Sequence, residues 1–245
     1  MRDLEDKVAL VTGAAGDIGH ATVERLRERG CRIVAEDVKD SVALLAERGR
    51  IEYIIGDLRQ EETASRAVAA ALSHFGSLDI LVNNAGRHLQ RPTLDTSSAQ
   101  WDEILDTNAR GTFLHCREAL KVMSQRRSGS IVNVASISGV IGIAGQVAYA
   151  ASKGAIIQIT RALAVEFGAG AIRVNALAPG AVITGFLGGS AADSRALLES
   201  FGPHHPIGRS ARPEEIAEVI VFLAAAKASF MTGAVVMVDG GYTAA

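Results

Sequence analysis

The chain has 245 residues, 48% apolar and 21% charged, and 25 basic against 27 acidic side chains leave a net charge of −2. That much apolar material excludes global disorder, and a chain of this size buries roughly 70–75% of its unfolded surface without a metal or disulfide. The near-neutral balance excludes the basic footprint of a nucleic-acid binder.

A continuous apolar run at 8–11, ending in Thr12-Gly13, predicts a strand buried on both faces. A helix follows over 17–29, with Ile18, Ala21, Thr22 and Leu26 on one side and Glu24, Arg25, Arg27 and Glu28 on the other. Gly30 closes it. Strand 33–35, a short helix over 41–48 and strand 51–55 come next, then helix 61–75 and strand 78–82. Long helices over 100–125 and 149–167 flank strand 130–135, and strand 172–177 leads into a loose region over 179–212. Helix 214–226 and strand 234–238 finish the pattern. Such alternation predicts an α/β fold: one doubly wound Rossmann-type domain, residues 1–245, with a parallel seven-stranded sheet and helices on both faces. Cys31 and Cys116 have neither metal-ligand spacing nor a CxxC pairing, and read as buried thiols in a reducing compartment. The charged start lacks a signal-peptide pattern, and Lys153 and Lys227 break the longest apolar stretches. A cytoplasmic protein with no membrane partner is expected.

Gly13, Gly16 and Gly19 lie between the first strand and the first helix, where glycine lets backbone N–H groups approach a pyrophosphate at the helix N-terminus. Asp37, 24 residues after Gly13, stands near the spacing of about 20 expected for a ribose-binding acid. A carboxylate there accepts from both adenosine-ribose hydroxyls and repels a 2′-phosphate. Ala14, Ala15 and Val38 offer no cation to offset that repulsion, and Lys39 is expected to face solvent. NAD is the expected cofactor.

Tyr149 and Lys153, four residues apart, share one helix face, and Ser136 precedes Tyr149 by 13 residues. With the glycine turn, Asp57-Leu58, Asn83-Asn-Ala-Gly86, Pro179-Gly180 and the closing Asp239-Gly-Gly241, the chain resembles the classical short-chain dehydrogenases/reductases. The matches run in order from residue 7 to residue 241. The resemblance implies an oxidoreductase that interconverts a secondary alcohol and a ketone by hydride transfer. Tyr149 would be the general acid/base, Lys153 would favour its phenolate and hold the nicotinamide ribose, and Ser136 would bind the substrate oxygen. An unperturbed tyrosine titrates near pH 10, too high for base work at neutrality, and the Lys153 cation is the expected source of the lowering. Asn108 falls at the family's fourth catalytic position. Ile18 would lie at the pyrophosphate turn, Asp57 and Leu58 beside the adenine, and Asn83, Ala85 and Gly86 along the ribose. Val182 would meet the carboxamide, and Thr184 the carboxamide or pyrophosphate, beside Pro179 and Gly180.

One departure matters. Where the classical turn reads TGxxxGxG, Asp17 occupies the central glycine position, and the resulting Gly13-x-x-Gly16-x-x-Gly19 is the spacing of the family's extended branch. The Asn-Asn-Ala-Gly run, the Ser–Tyr interval, the Asp-Gly-Gly close and the short C-terminal part favour the classical branch. Asp17 is counted with the cofactor-binding turn and read as a helix-capping acid, worth roughly 0.3–1 kcal/mol; beside a pyrophosphate it is in electrostatic tension unless turned away. Residues 184–212 resemble the family's variable substrate lid, with Gly185, Gly188 and Gly189 suited to a mobile loop and a short helix over 191–201. His204 and His205 read as surface histidines, with contact to a polar or acidic substrate as the alternative, and no metal site is expected from them. Arg87, His88 and Gln90 are candidates for the opposite pocket wall; Ser136, Tyr149 and His88 are the expected substrate contacts. Two other functions stay open. A 3-oxoacyl-carrier-protein reductase would need a basic docking patch, for which Arg126, Arg127 and Arg161 are candidates; an NAD-binding sensor would have no use for Ser136, Tyr149 and Lys153. The resemblance also implies a homotetramer paired through the two long helices and the C-terminal strand region.

Overall fold

Side chains alternate between two cores along each strand, and that alternation sets the layers. In β1 (Val8–Thr12), Val8 and Leu10 pack with Ala67, Leu120, Met123 and Ile131. Ala9 and Val11 point the other way, onto Val23, Leu26, Ile216 and Ile220. Every residue of β1 is buried, as a strand covered on both faces requires. The computed structural model describes residues 4–187 and 190–244.

The remaining strands are β2 (Arg32–Asp37), β3 (Ile51–Ile55), β4 (Ile80–Asn83), β5 (Gly129–Val134), β6 (Ile172–Pro179) and β7 (Val235–Val238). All pair in parallel in the order β3-β2-β1-β4-β5-β6-β7. This is the doubly wound, Rossmann-type sheet the alternation predicts. One face carries α1 (Asp17–Glu28) and, late in the chain, α7 (Pro213–Ala224). The other carries α2 (Glu61–Phe75), α4 (Gly111–Arg126) and α5 (Val147–Phe167). A short α3 (Ser98–Leu105) precedes α4, and α6 (Ala191–Ser200) lies in the expected lid segment.

Two elements differ from expectation. The helix expected over 100–125 begins two residues earlier, behind a Ser97–Gln100 capping box, and is interrupted by a π-helical turn over Asp106–Arg110. The short helix expected over 41–48 is a 3₁₀ segment, Asp40–Leu45. Among the described residues, no helix is long and apolar enough to cross a membrane.

The chain reverses direction across the sheet between β1 and β4, which opens a crevice at their C-terminal ends. The crevice floor is stitched shut by hydrogen bonds. Asn84 and Ala85 donate their backbone N–H groups to Thr12 Oγ1 at 3.1 and 3.0 Å. Asn84 Nδ2 donates to the carbonyls of Thr12 and Gly13 at 3.0 and 3.1 Å.

Candidate active site

A single cleft of about 1700 Å³ runs from the end of β2, over the N-terminus of α1, to the start of α5 and the lid. Gly13, Asp17, Ile18, Asp37, Asp57, Leu58, Ala85, Gly86, Pro179, Gly180, Val182 and Thr184 all line it, as do Ser136, Tyr149, Lys153 and His88. Its middle is shaped by close backbone packing. Gly13 has φ +66°, and a Cβ on Gly19 would stand 2.0 Å from the Gly13 carbonyl oxygen. The turn therefore holds only without side chains at these two positions, which brings it and the positive end of α1 against the cleft. Such a cradle fits a dinucleotide's pyrophosphate.

At the β2 end, Asp37 is 8% exposed, and its carboxylate is fixed by the N–H groups of Ala15 (2.9 Å) and Lys39 (3.0 Å). A carboxylate has acceptor sites beyond these two, so room for ribose hydroxyls remains. The Lys39 side chain is exposed, as expected. Arg59 also lines the cleft, but its guanidinium grips Asp57 at 2.5–3.0 Å and holds that carboxyl below its ordinary pKa. Behind this end lies a pair that sequence reasoning missed. Glu36 and His115 are both buried, with Oε2 3.0 Å from Nε2, and His115 Nδ1 lies 2.9 Å from the Gly111 carbonyl. Burial pulls the His115 pKa down, but the Glu36 charge, its hydrogen bond and the Gly111 carbonyl outweigh it, and the net shift is upward.

Asp17 does not cap α1, for Gly16 is the N-cap and has no side chain to offer. The Asp17 carboxylate reaches across the cleft instead. It accepts the Gly185 N–H at 2.9 Å and pairs with Arg195 of α6. Two donors from residues 185–195 thus hold the carboxylate, which still lines the cleft.

The reacting end joins three elements. Ser136, just past β5, is 8% exposed, and its Oγ accepts the Ser138 N–H at 3.1 Å. Tyr149 and Lys153 lie in the first two turns of α5, with Lys153 Nζ 5.6 Å from the Tyr149 ring centre and donating to the Val134 carbonyl at 2.9 Å. Burial pushes the Tyr149 hydroxyl up to about 12 against an opposing hydrogen bond from Ser136, and burial pushes Lys153 down to about 8. Asn108 sits in the π-helical turn, fully buried behind the cleft. Its amide clamps both polar groups of the Arg87 backbone, at 2.7 and 2.9 Å, and donates to Ser152 Oγ at 2.9 Å. A π turn admits one extra residue per turn and re-aims the side chain; periodicity carries no sign of it.

Beside Tyr149, the His88 ring stands edge-on at 4.8 Å, and Phe186 lies 6.2 Å from His88 and 6.5 Å from Tyr149. Burial, then the Lys153 charge, lowers the His88 pKa to about 4, so this wall is neutral. A string of neutral groups continues it. Ser138 Oγ donates to Gln146 Oε1 at 2.7 Å, and Gln146 Nε2 to Gln90 Oε1 at 2.9 Å. Phe186, Gln146 and Ser138 were not singled out from the sequence; their nearness to Tyr149, Ser136 and Thr184 in the chain was the available signal.

Two expectations need correction. Asn83 does not line the cleft: its side chain points into the core, donating to Asn133 Oδ1 at 2.8 Å and Cys116 Sγ at 3.2 Å, and Asn84 is the one exposed to the cleft. A strand alternates its faces, so neighbouring asparagines look opposite ways. His205 is not a surface residue: it is 4% exposed, its Nε2 accepts the Ala181 N–H at 3.1 Å and its Nδ1 faces the Phe201 carbonyl at 3.0 Å. It ties the lid to the end of β6, while His204 is exposed. Arg126 and Arg127 are engaged, with the Asp79 carboxylate and the Ala169 carbonyl. Gly188 and Gly189 lie outside the described residues.

A family model described as enoyl-(acyl carrier protein) reductase matches residues 13–243. The chain is 42% identical to a cis-4-hydroxycyclohexanecarboxylate dehydrogenase of Sinomonas cyclohexanicum, covering 98% of this chain and 97% of the relative. It is 36% identical to a 3-oxoacyl-[acyl-carrier-protein] reductase of Thermotoga maritima, over 97% and 98%. The crystal structure of levodione reductase superposes with a TM-score of 0.90 at 34% identity, over 98% of this chain and 99% of that one.

Proposed function

The chain belongs to the classical short-chain dehydrogenase/reductase family, and from that premise we propose that it is an NAD(H)-dependent oxidoreductase interconverting a cyclic secondary alcohol and its ketone. The observation that carries this reading is the convergence of Ser136, Tyr149 and Lys153 at one end of a cleft whose other end holds Asp37. A bound nicotinamide dinucleotide supplies the hydride acceptor or donor. The chain's own residues handle the proton. In reduction, a phenol kept protonated by burial at Tyr149 gives its proton to the carbonyl oxygen. In oxidation it takes the hydroxyl proton back, with the Lys153 ammonium favouring the phenolate. Ser136 Oγ accepts from Ser138 and hydrogen-bonds the Tyr149 hydroxyl, so it stands where its proton can turn to the substrate oxygen beside Tyr149. One Lys153 proton is spent on Val134, leaving two for ribose hydroxyls. Asn108 is a positioning residue that fixes the chain after β4 against α5.

NAD is favoured over NADP because Asp37 is held facing the cleft by two backbone donors, and the nearby Arg59 is already neutralised by Asp57. A ring substrate is favoured by the aromatic wall of His88 and Phe186, and by the name of the Sinomonas relative. The Thermotoga relative supports a second reading, reduction of a 3-oxoacyl thioester. Against it, Asp37 opposes the NADPH on which such reductases usually draw. We also read the chain as a cytoplasmic homotetramer: Val165 on α5 is 86% exposed, Phe113 on α4 is 45% exposed, and Phe230 just before β7 is fully exposed. Light scattering giving a monomer at micromolar concentration would contradict this.

The test of function is a screen of cyclic alcohols with NAD and NADP, paired with Tyr149→Phe. Turnover should fall by about 10²–10⁴-fold in the variant, with NADH binding nearly unchanged. Undiminished turnover would remove Tyr149 from the mechanism. A lower KM for NADPH than for NADH would overturn the cofactor assignment, and faster work on a 3-oxoacyl thioester than on any cyclic ketone would favour the second reading.

A further inference from the structure

An acid in a pyrophosphate turn is an electrostatic problem. Asp17 occupies the first position of α1, in the middle of the glycine turn that the reading above gives to the pyrophosphate, and it lines the cleft there. Beyond the helix N-terminus, no side chain of the turn offsets the carboxylate charge, since its other members are Gly13, Ala14, Ala15, Gly16, Ile18 and Gly19. The compensation comes from a different part of the chain. Arg195, 178 residues away on α6, pairs with Asp17 Oδ1, and the Gly185 N–H donates to Oδ2 at 2.9 Å. Arg195 also lines the cleft.

The guanidinium is delivered there by a braced segment. Ser194, 2% exposed and next to Arg195, donates from Oγ to the Thr184 carbonyl at 2.8 Å and accepts the Leu187 N–H at 3.0 Å. Ser190 caps α6 by accepting the Asp193 N–H at 3.1 Å. Other arginines lining this stretch are committed elsewhere: Arg25 to Glu28 and Glu218, Arg59 to Asp57.

Resting on the reading of this cleft as a dinucleotide site, we propose that Arg195 belongs to that site: it is the counter-charge that lets Asp17 stand in the pyrophosphate turn, and it contacts the phosphates itself. A guanidinium has five donors in a fixed fork, enough to hold a carboxylate and reach a phosphate oxygen together. The lid therefore senses the cofactor as well as the substrate.

The test is direct titration of NADH, ADP and adenosine by fluorescence or calorimetry against the wild type, Arg195→Ala, Asp17→Asn and Asp17→Asn/Arg195→Ala. Arg195→Ala should weaken NADH and ADP by about 10-fold or more, since a charge-assisted contact is lost and an uncompensated carboxylate is left behind. Adenosine, which has no phosphate, should bind alike to all four proteins. The double variant should recover much of the loss, because the repelling acid is gone. Equal NADH affinity in Arg195→Ala and wild type would overturn the proposal, as would a double variant no better than Arg195→Ala. An equal loss for adenosine would mean general damage to the cleft and would also refute it. Failure of the cofactor reading looks different: the wild type would bind neither NADH nor NADPH.

Discussion

Replacing Glu36 with Gln tests how the adenosine end of the cleft is supported. Glu36 and His115 are 2% and 0% exposed at their side chains, with one hydrogen bond of 3.0 Å between them. Removing one partner of a buried ion pair costs about 3–5 kcal/mol. Glutamine keeps one hydrogen bond to the ring, so the low end, about 3 kcal/mol, is the expectation at acid pH. For a chain of this size each kcal/mol moves the melting temperature by about 2–4 °C, which gives a loss of about 6–12 °C. The pH dependence follows from the upward shift of His115. A histidine whose folded pKa exceeds its unfolded value of about 6.5 contributes its full stabilisation below that value. The contribution is lost as the pH rises through the folded value. The gap between wild type and Glu36→Gln should therefore be widest near pH 6 and narrow as the pH rises above the unfolded value. Calorimetric or fluorescence melts from about pH 6 upward measure it. A gap that is absent at pH 6, or that widens with pH, would refute the assignment of a charged His115.

Gly19→Ala places a methyl group 2.0 Å from the Gly13 carbonyl oxygen, so the turn must open; NADH affinity should drop at least tenfold, read by fluorescence titration. Ketone reduction should slow as the pH rises through about 8, where Lys153 loses the charge that favours the Tyr149 phenolate left after proton transfer. A kcat profile flat across that pH would contradict it. Arg173→Ala removes the guanidinium that donates to the Leu223, Ala224 and Ala225 carbonyls at the end of α7, at 2.8–3.1 Å. It should lower stability by about 1–3 kcal/mol in denaturant melts while leaving NADH binding unchanged.

Local chemistry was enough for much of this molecule. The strands at 51–55 and the helix at 61–75 fall where the sequence pattern puts them, because period and length are properties of a single segment. The same holds for Tyr149 and Lys153, whose shared helix face follows from four-residue spacing, and for Gly13 and Gly19, whose missing side chains announce a tight turn. Other features depend on partners far away in the chain. Glu36 meets His115 across 79 residues, and Asn108 is turned inward by a π-helical turn whose cause lies in packing, not in hydrophobic period. His205 looked like a surface residue until β6 and the lid closed around it.

Asp17 shows the division most sharply. The sequence by itself marked it as an acid where a glycine is usual, and electrostatics said that it needed a counter-charge or a turn away from the phosphates. Which of these holds depends on what folds against it. Side-chain identity and spacing determine which groups are available, whereas pairing between groups 178 residues apart exists only once the sheet and lid have brought them within hydrogen-bond reach. In the tertiary structure Arg195 meets that need.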